Sequence, residues 1–256
     1  MLNVLVPMAG RGKRFQVAGY EHPKPLIPIH GHPMTEVVID NLRPTGPHRF
    51  VFVILREHAK AFALDRRLRE WAPGCEVVFV DAVTEGAACT VLLARDLIDD
   101  DRPLMIANCD QWVDTDVDAY LATMESAHAD GLIMTMRAND PKWSYAKLDE
   151  RGHVTEVVEK VVVSDEATVG IYNFRRGSDF VRGADRMIAA NLRVNGEFYV
   201  APVYNQLIEL GSTIVVHNVG APGAGMYGLG VPDDLEAFLA DPISRTAVSG
   251  LGPVGG

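Results

Sequence analysis

The chain has 256 residues, 48% of them hydrophobic and 23% charged, with a formal net charge of −10. That length suffices for one well-buried α/β domain with at most a small appendage. An acidic chain is poorly suited to nucleic acid, whose phosphates demand clustered Lys and Arg, but a local basic pocket would still serve a small phosphorylated molecule. The three cysteines, Cys75, Cys89 and Cys109, are odd in number and lack C-x-x-C spacing. This argues against a disulfide framework or a zinc site, and they read as buried free thiols. No apolar run reaches about 18 residues, so no membrane span is expected. The opening residues lack the basic n-region of a secretory signal, and a cytoplasmic location is expected.

In chain order, residues 3–6 form a compact β-branched run ended by Pro7, the pattern of a first strand. Further strands are expected at 49–55, 76–80, 103–107 and 131–136. Helices are expected between them at 33–41, 57–71, 86–98 and 116–127. Thr84 is a candidate N-cap for the third helix, and Asp114 or Thr115 for the fourth. Continuous apolar strands alternating with helices imply an α/β fold with a mostly parallel sheet covered on both faces. Such sheets bind ligands beyond the carboxyl ends of their strands, so the loops after Val6, Val80 and Ala107 should converge. After about residue 140 the pattern changes to short strands at 145–148, 154–158 and 168–174, then helices at 178–191 and 202–210. No linker separates the halves, so residues 1–240 read as one domain, with 1–140 and 141–240 as its two halves and 241–256 as a loose tail.

The segment that carries chemistry follows the first strand. Met8-Ala9-Gly10-Arg11-Gly12-Lys13-Arg14-Phe15 leads through Gly19-Tyr20-Glu21-His22 into Pro23-Lys24-Pro25-Leu26. Its glycines let backbone approach a ligand and point N–H groups at it. Arg11, Lys13, Arg14 and Lys24 face one acid, Glu21, a local basic excess in an acidic chain. The segment therefore reads as a phosphate-binding concavity. It is not a dinucleotide fingerprint, because Phe15 stands where a third glycine belongs, and the chain contains no Gly-Lys-Ser/Thr triplet of a Walker A loop.

Gly10-Arg11-Gly12-Lys13-Arg14-Phe15 followed by Pro23-Lys24-Pro25-Leu26 resembles the signature of the sugar-phosphate nucleotidyltransferases, which include nucleotide-sugar pyrophosphorylases and cytidylyltransferases. The Pro-Met-Ala-Gly-Arg-Gly opening resembles the capsule and surface-polysaccharide group in particular. The resemblance implies a three-layer α/β/α, Rossmann-like and GT-A-like nucleotidyltransferase fold with a small α+β acceptor-binding elaboration. It implies that Met8, Ala9, Gly10, Arg11, Gly12 and Lys13, with Glu85 and Gly86 after the third strand, bind the nucleotide. Asp110, in Asn108-Cys109-Asp110-Gln111 after the fourth strand, would hold Mg²⁺ against the triphosphate, since Mg²⁺ favours one or two carboxylates plus phosphate oxygens. Arg14, Lys24 and Lys160 would be catalytic. Tyr145, Glu159, Lys160, Gly170 and Glu197 would meet the acceptor. The chain departs from the family in one place: Gly228, in Tyr227-Gly228-Leu229-Gly230-Val231-Pro232-Asp233-Asp234, stands where a second metal-binding carboxylate is usual. Water, Asp233 or another carboxylate would have to substitute.

The implied partners are a nucleoside triphosphate (CTP favoured, with UTP, dTTP and GTP open) and a sugar 1-phosphate or other small phosphorylated acceptor. Neither nucleic acid nor membrane is expected, and a homo-oligomer is left open. The rival readings are a glycosyltransferase of related fold, using a ready-made nucleotide sugar, and a non-catalytic nucleotide-sensing subunit.

Overall fold

The structure, a computed structural model, describes residues 1–252. The first half runs β1 (Leu2–Met8), α1 (Lys13–Val17), a 3-10 turn at Lys24–Leu26, β2 (Pro28–Ile29), β3 (His32–Pro33), α2 (Met34–Asn41), β4 (His48–Leu55), α3 (Arg56–Phe62), α4 (Leu64–Trp71) and β5 (Glu76–Val80). Then come α5 (Ala87–Leu92), α6 (Arg95–Ile98), β6 (Leu104–Ala107), β7 (Gln111–Val113), α7 (Val117–Ser126) and β8 (Gly131–Arg137). The remainder comprises β9 (Ser144–Leu148), β10 (Val154–Glu159), β11 (Glu166–Phe174), α8 (Gly177–Ala189), α9 (Val203–Glu209), β12 (Ile214–Asn218), β13 (Ala221–Pro222), β14 (Gly225–Gly228), α10 (Pro232–Ala240) and α11 (Ile243–Thr246).

A nine-stranded sheet runs through both halves, its main path being β10-β9-β11-β6-β1-β4-β5, with β8 against β11 and β12 against β8. The neighbours β6, β1, β4 and β5 are parallel, and β12 is parallel to β8. Only β10 and β11 oppose the common direction. Alternate side chains of each central strand enter separate cores. Val4, Val6, Phe50, Phe52 and Met105 face one, and Leu5, Val51, Val53, Leu104 and Ile106 face the other. This period-2 division is why these strands read as unbroken apolar runs. Helices α2, α4, α7 and α10 cover the first face, and α5, α6, α8 and α9 the second. The result is the three-layer α/β/α architecture.

Several local expectations are corrected. The helix expected at 57–71 is interrupted at Ala63, which adopts φ 51° and divides α3 from α4. The helix expected at 86–98 is likewise two pieces, α5 and α6. Neither Asp114 nor Thr115 caps α7; Asp116 does, its carboxylate accepting the Asp118 N–H at 2.9 Å. Thr84 does not cap α5, because its hydroxyl donates to the Gly86 carbonyl at 2.9 Å. The tail is not loose over its described part. Residues 243–246 form α11, Ser244 is fully buried and bonded to His30 Nε2 at 2.8 Å, and Leu251 packs on the first core. The apolar Ile243, Ala247 and Leu251 give that segment a face to bury. Residues 253–256 lie outside the described residues.

Under α8 and α9, Phe174 stacks on Tyr204 with ring centroids 4.6 Å apart, both side chains fully buried. Phe174→Ala should cost about 3–5 kcal/mol, as truncation of a buried aromatic does. Equilibrium urea unfolding checks it.

Candidate active site

The loop after β1 is shaped by one glycine. Gly12 adopts φ 62° at the start of α1, and a Cβ there would sit 2.9 Å from the Cβ of Lys24. The left-handed backbone and the close approach both require glycine. Phe15, buried, packs edge-on against Tyr20 at 5.1 Å and fixes the far side of the loop. Pro23 precedes the 3-10 turn that presents Lys24. The Lys24 ammonium then donates to the Asp110 carboxylate, which reaches in from the end of β6. Burial works against the ammonium, but the adjacent Asp110 outweighs it, and the Lys24 pKa is raised. Cys109, beside them, is pushed up to about 11 by burial, so its thiol stays protonated at neutral pH.

Asp110 is held by backbone as well. The Leu229 N–H donates to its carbonyl at 2.8 Å, and the Asn108 N–H donates to the Gly170 carbonyl at 3.0 Å. Strand β14 pairs antiparallel with β7, placing Gly228 opposite Gln111. Gly170, at φ 90°, lies where β11 shifts register between Thr168 and Tyr172. A Cβ on Gly170 would fall 2.1 Å from the Asn108 amide.

Four adjoining cavities open around the ion pair. The largest, about 720 Å³, is lined by Arg11, Gly12, Lys13, Arg14, Lys24 and Asp110, together with Glu197. A second, about 230 Å³, takes in Met8 and Gly10 beside the same Lys24 and Asp110. The third, about 390 Å³, joins Arg14 and Asp110 to Lys160, Gln111, Asp233 and Asp234. The fourth, about 210 Å³, contains Ser144, Glu159, Lys160, Gly170 and Tyr199. Glu159 is buried, accepts a hydrogen bond from the Ser144 hydroxyl, and lies 3.6 Å from Lys160 Nζ. Burial raises its pKa, and Ser144 and Lys160 only partly offset that. Lys160, at φ 59°, holds its ammonium 5.2 Å from the centroid of the Tyr199 ring. The Tyr199 hydroxyl is pushed up to about 12 by burial and by Glu197 and Glu159.

Most expected site residues meet at these cavities, and four do not. Tyr145 is fully buried in the core, its hydroxyl donating to the Asp140 carbonyl at 2.8 Å, and its neighbour Ser144 lines the fourth cavity instead. Ala9 is buried in the second core. Glu85 turns its carboxylate to Arg193 at 2.9 Å. Gly86 is glycine because a Cβ would lie 2.4 Å from the Phe198 carbonyl oxygen, a packing demand from the chain itself. Arg11 lines the largest cavity but is exposed and 3.4 Å from Glu57. Glu197 lies with the loop cations and not in the Glu159 cavity. Sequence reasoning passed over Ser144, Gln111 and Lys142, whereas Trp143 and Tyr199 read as aromatics that either shape the acceptor pocket or pack. Lys142 and Trp143 line the third and fourth cavities together. For the first three the only sequence signal was position: Gln111 adjoins Asp110, and Lys142 and Ser144 closely precede Tyr145.

Among the described residues no group of three or more His, Cys, Asp or Glu side chains could by itself hold a metal ion. A divalent cation at Asp110 would therefore complete its shell with phosphate oxygens and water, as Mg²⁺ readily does. The site fits such a ligand. Gln111 is 5% exposed, and its Nε2 has no hydrogen-bond partner. Oxygen-rich company in the cavity would satisfy that donor.

A model of the nucleotidyl transferase family matches residues 4–182. The bifunctional protein GlmU of Burkholderia pseudomallei is 30% identical over 254 residues, covering 94% of this chain and 51% of that protein. GlmU of Cupriavidus metallidurans is 27% identical, covering 97% and 53%. The chain thus spans about half the length of these curated relatives. A nucleoside-diphosphate-sugar pyrophosphorylase from Vibrio cholerae superposes with a TM-score of 0.77 at 26% identity, over 93% of this chain and all of that one. The inositol-1-phosphate CTP transferase of T. maritima, at 15% identity and a TM-score of 0.72 over 98% and 97% of the two chains, shares the fold.

The raised pKa of Glu159 has a definite sign. The unfolded chain ionises this group near the ordinary value of about 4.3, and the folded chain does so higher. Its contribution to stability therefore falls as pH climbs through that interval and is constant above it. A ¹³C-carboxyl NMR titration should find Glu159 above the usual carboxylate range. Ser144→Ala, which removes a hydrogen bond to the ionised form, should raise it further.

Proposed function

The chain belongs to the nucleotidyl transferase family, and on that premise we propose that it transfers a nucleoside monophosphate from a nucleoside triphosphate to a small phosphorylated acceptor, releasing pyrophosphate. The observation that carries this reading is the meeting of Lys24 with Asp110 beside a basic loop cavity, with Asp110 also lining a cavity that reaches Lys160, the neighbour of Glu159. A triphosphate and an acceptor phosphate, each needing neutralisation, can approach one point from two sides. An oxygen of the acceptor phosphate attacks the α-phosphorus. The bond from that phosphorus to the oxygen bridging to the β-phosphorus breaks, and pyrophosphate leaves with both electrons.

Catalysis of this kind is positioning and charge stabilisation. Arg14 and the backbone around Gly10 to Gly12 neutralise the departing β,γ-phosphates. Lys24 bridges the α-phosphate and the attacking phosphate. Lys160 orients the acceptor phosphate, and Glu159 accepts hydrogen bonds from acceptor hydroxyl or amine groups. Mg²⁺ held by Asp110 would draw charge from the α-phosphate when bound. Sugar 1-phosphates are the first acceptors to consider, with non-sugar phosphates such as phosphocholine next. The resemblance of the Pro7-to-Gly12 loop to surface-polysaccharide enzymes favours CTP, a product destined for polysaccharide precursors, and a cytoplasmic setting.

Pyrophosphate release over a matrix of nucleoside triphosphates and phosphorylated acceptors with Mg²⁺ tests the reading. One pair should dominate, with CTP as the expected nucleotide. Release of a free nucleoside diphosphate from a nucleotide sugar, without pyrophosphate chemistry, would establish the glycosyltransferase alternative instead. Lys24→Ala should lower turnover on the order of a hundredfold or more while the protein stays folded. Near-normal pyrophosphate release by that variant would contradict the role given to Lys24.

A further inference from the structure

We propose that Asp234 is the second carboxylate of a divalent-cation site with Asp110, reaching across the space that Gly228 leaves empty. The proposal rests on the nucleotidyl-transfer reading above. Strand β14 runs beside β7, so Gly228 lies opposite Gln111, the residue after Asp110. A Cβ built on Gly228 would lie 3.0 Å from an Asp234 carboxylate oxygen. A Cβ built on Gly230 would lie 2.8 Å from an Asp110 carboxylate oxygen. The two glycines thus form one strip of bare backbone, with a carboxylate against each. Both carboxylates line the same cavity of about 390 Å³, together with Arg14 and Lys160.

A second observation in this cavity points independently to a ligand. Gln111 is among the residues that line it; the residue is 5% exposed and its side-chain Nε2 has no hydrogen-bond partner. A donor left unsatisfied at that depth is costly unless something accepts from it. A phosphate oxygen arriving with a cation is such an acceptor. Asp234 lies in the first turn of α10, where a carboxylate also suits the helix dipole. Its neighbour Asp233 shares the first turn of α10 and the cavity, but it is Asp234 that stands against Gly228. The chemistry asked of Asp234 is modest: one oxygen ligand for a hard cation whose other ligands are phosphate and water.

The test uses Mn²⁺ as the probe and the whole chain. Mn²⁺ binding is followed by loss of the free-ion EPR signal, in the presence of the α,β-methylene analogue of the triphosphate that the wild type turns over. Asp234→Ala should weaken Mn²⁺ binding on the order of tenfold or more, and Asp233→Ala by less than about twofold. The double variant Asp234→Ala with Gly228→Asp should recover most of the loss, because the new side chain enters the volume that the Asp234 carboxylate vacates. Thermal melting verifies that each variant is folded. Unchanged affinity in Asp234→Ala, a larger loss in Asp233→Ala, or no recovery in the folded double variant each overturns the assignment. A wild type that turns over no triphosphate defeats the nucleotidyl-transfer reading itself, a result distinct from these.

Discussion

The contact between the Lys24 ammonium and the Asp110 carboxylate is the constraint around which the rest of the site is arranged. It is a partly buried pair, with side-chain exposures of 18% and 28%. Such a pair gains attraction from reduced solvent screening and loses hydration by the same burial, so its net stabilisation is small. Its value lies in geometry. The pair ties the loop after β1 to the end of β6. Gly12 can lie against Lys24 only because it lacks a side chain, and Gly230 lies against Asp110 for the same reason.

The sheet explains how residues distant in sequence reach that point. Parallel β1 and β6 end on the same edge and deliver Lys24, by way of its loop, and Asp110. Antiparallel β11 enters beside β6 and, at the register shift around Gly170, passes its backbone close to Asn108. That bend makes room for the cavity of Glu159 and Lys160. Glu159 carries a raised pKa because depth, and not a neighbouring acid, is the dominant influence on it. A carboxylate so held is a selective acceptor of hydrogen bonds, since it gains more from a partner than an exposed one does.

Much of this was legible in the chain. The unbroken apolar strands announced a sheet covered on both faces, and Val4, Leu5 and their neighbours divide between two cores as that requires. The basic loop stood out because its charge opposes the chain's own balance. What could not be read were features set by tertiary approach. Tyr145 and Ser144 are adjacent, and only the pleat of β9 decides which faces the cavity. Gly86 could be read as close packing at a helix start or as a base-binding glycine, and only the tertiary structure supplies the Phe198 backbone that it packs on. Ala63 has no local signal for its left-handed backbone, so the break between α3 and α4 was invisible. The short β7 and β14 escaped notice because three or four residues carry too little periodicity to declare themselves.

Those two short strands also bear on timing. Their ladder joins residues more than a hundred positions apart, Gly228 opposite Gln111, and Leu229 then supplies the N–H that holds the Asp110 carbonyl. During synthesis the loop, β1, β4 and β6 leave the ribosome long before β14 exists. For that interval the nascent chain carries its basic loop without the strip of backbone that closes one wall of the cavity. That wall of the cavity can therefore be completed only once the chain has been made as far as Gly228, and a chain truncated before that point would keep the basic loop without the enclosure.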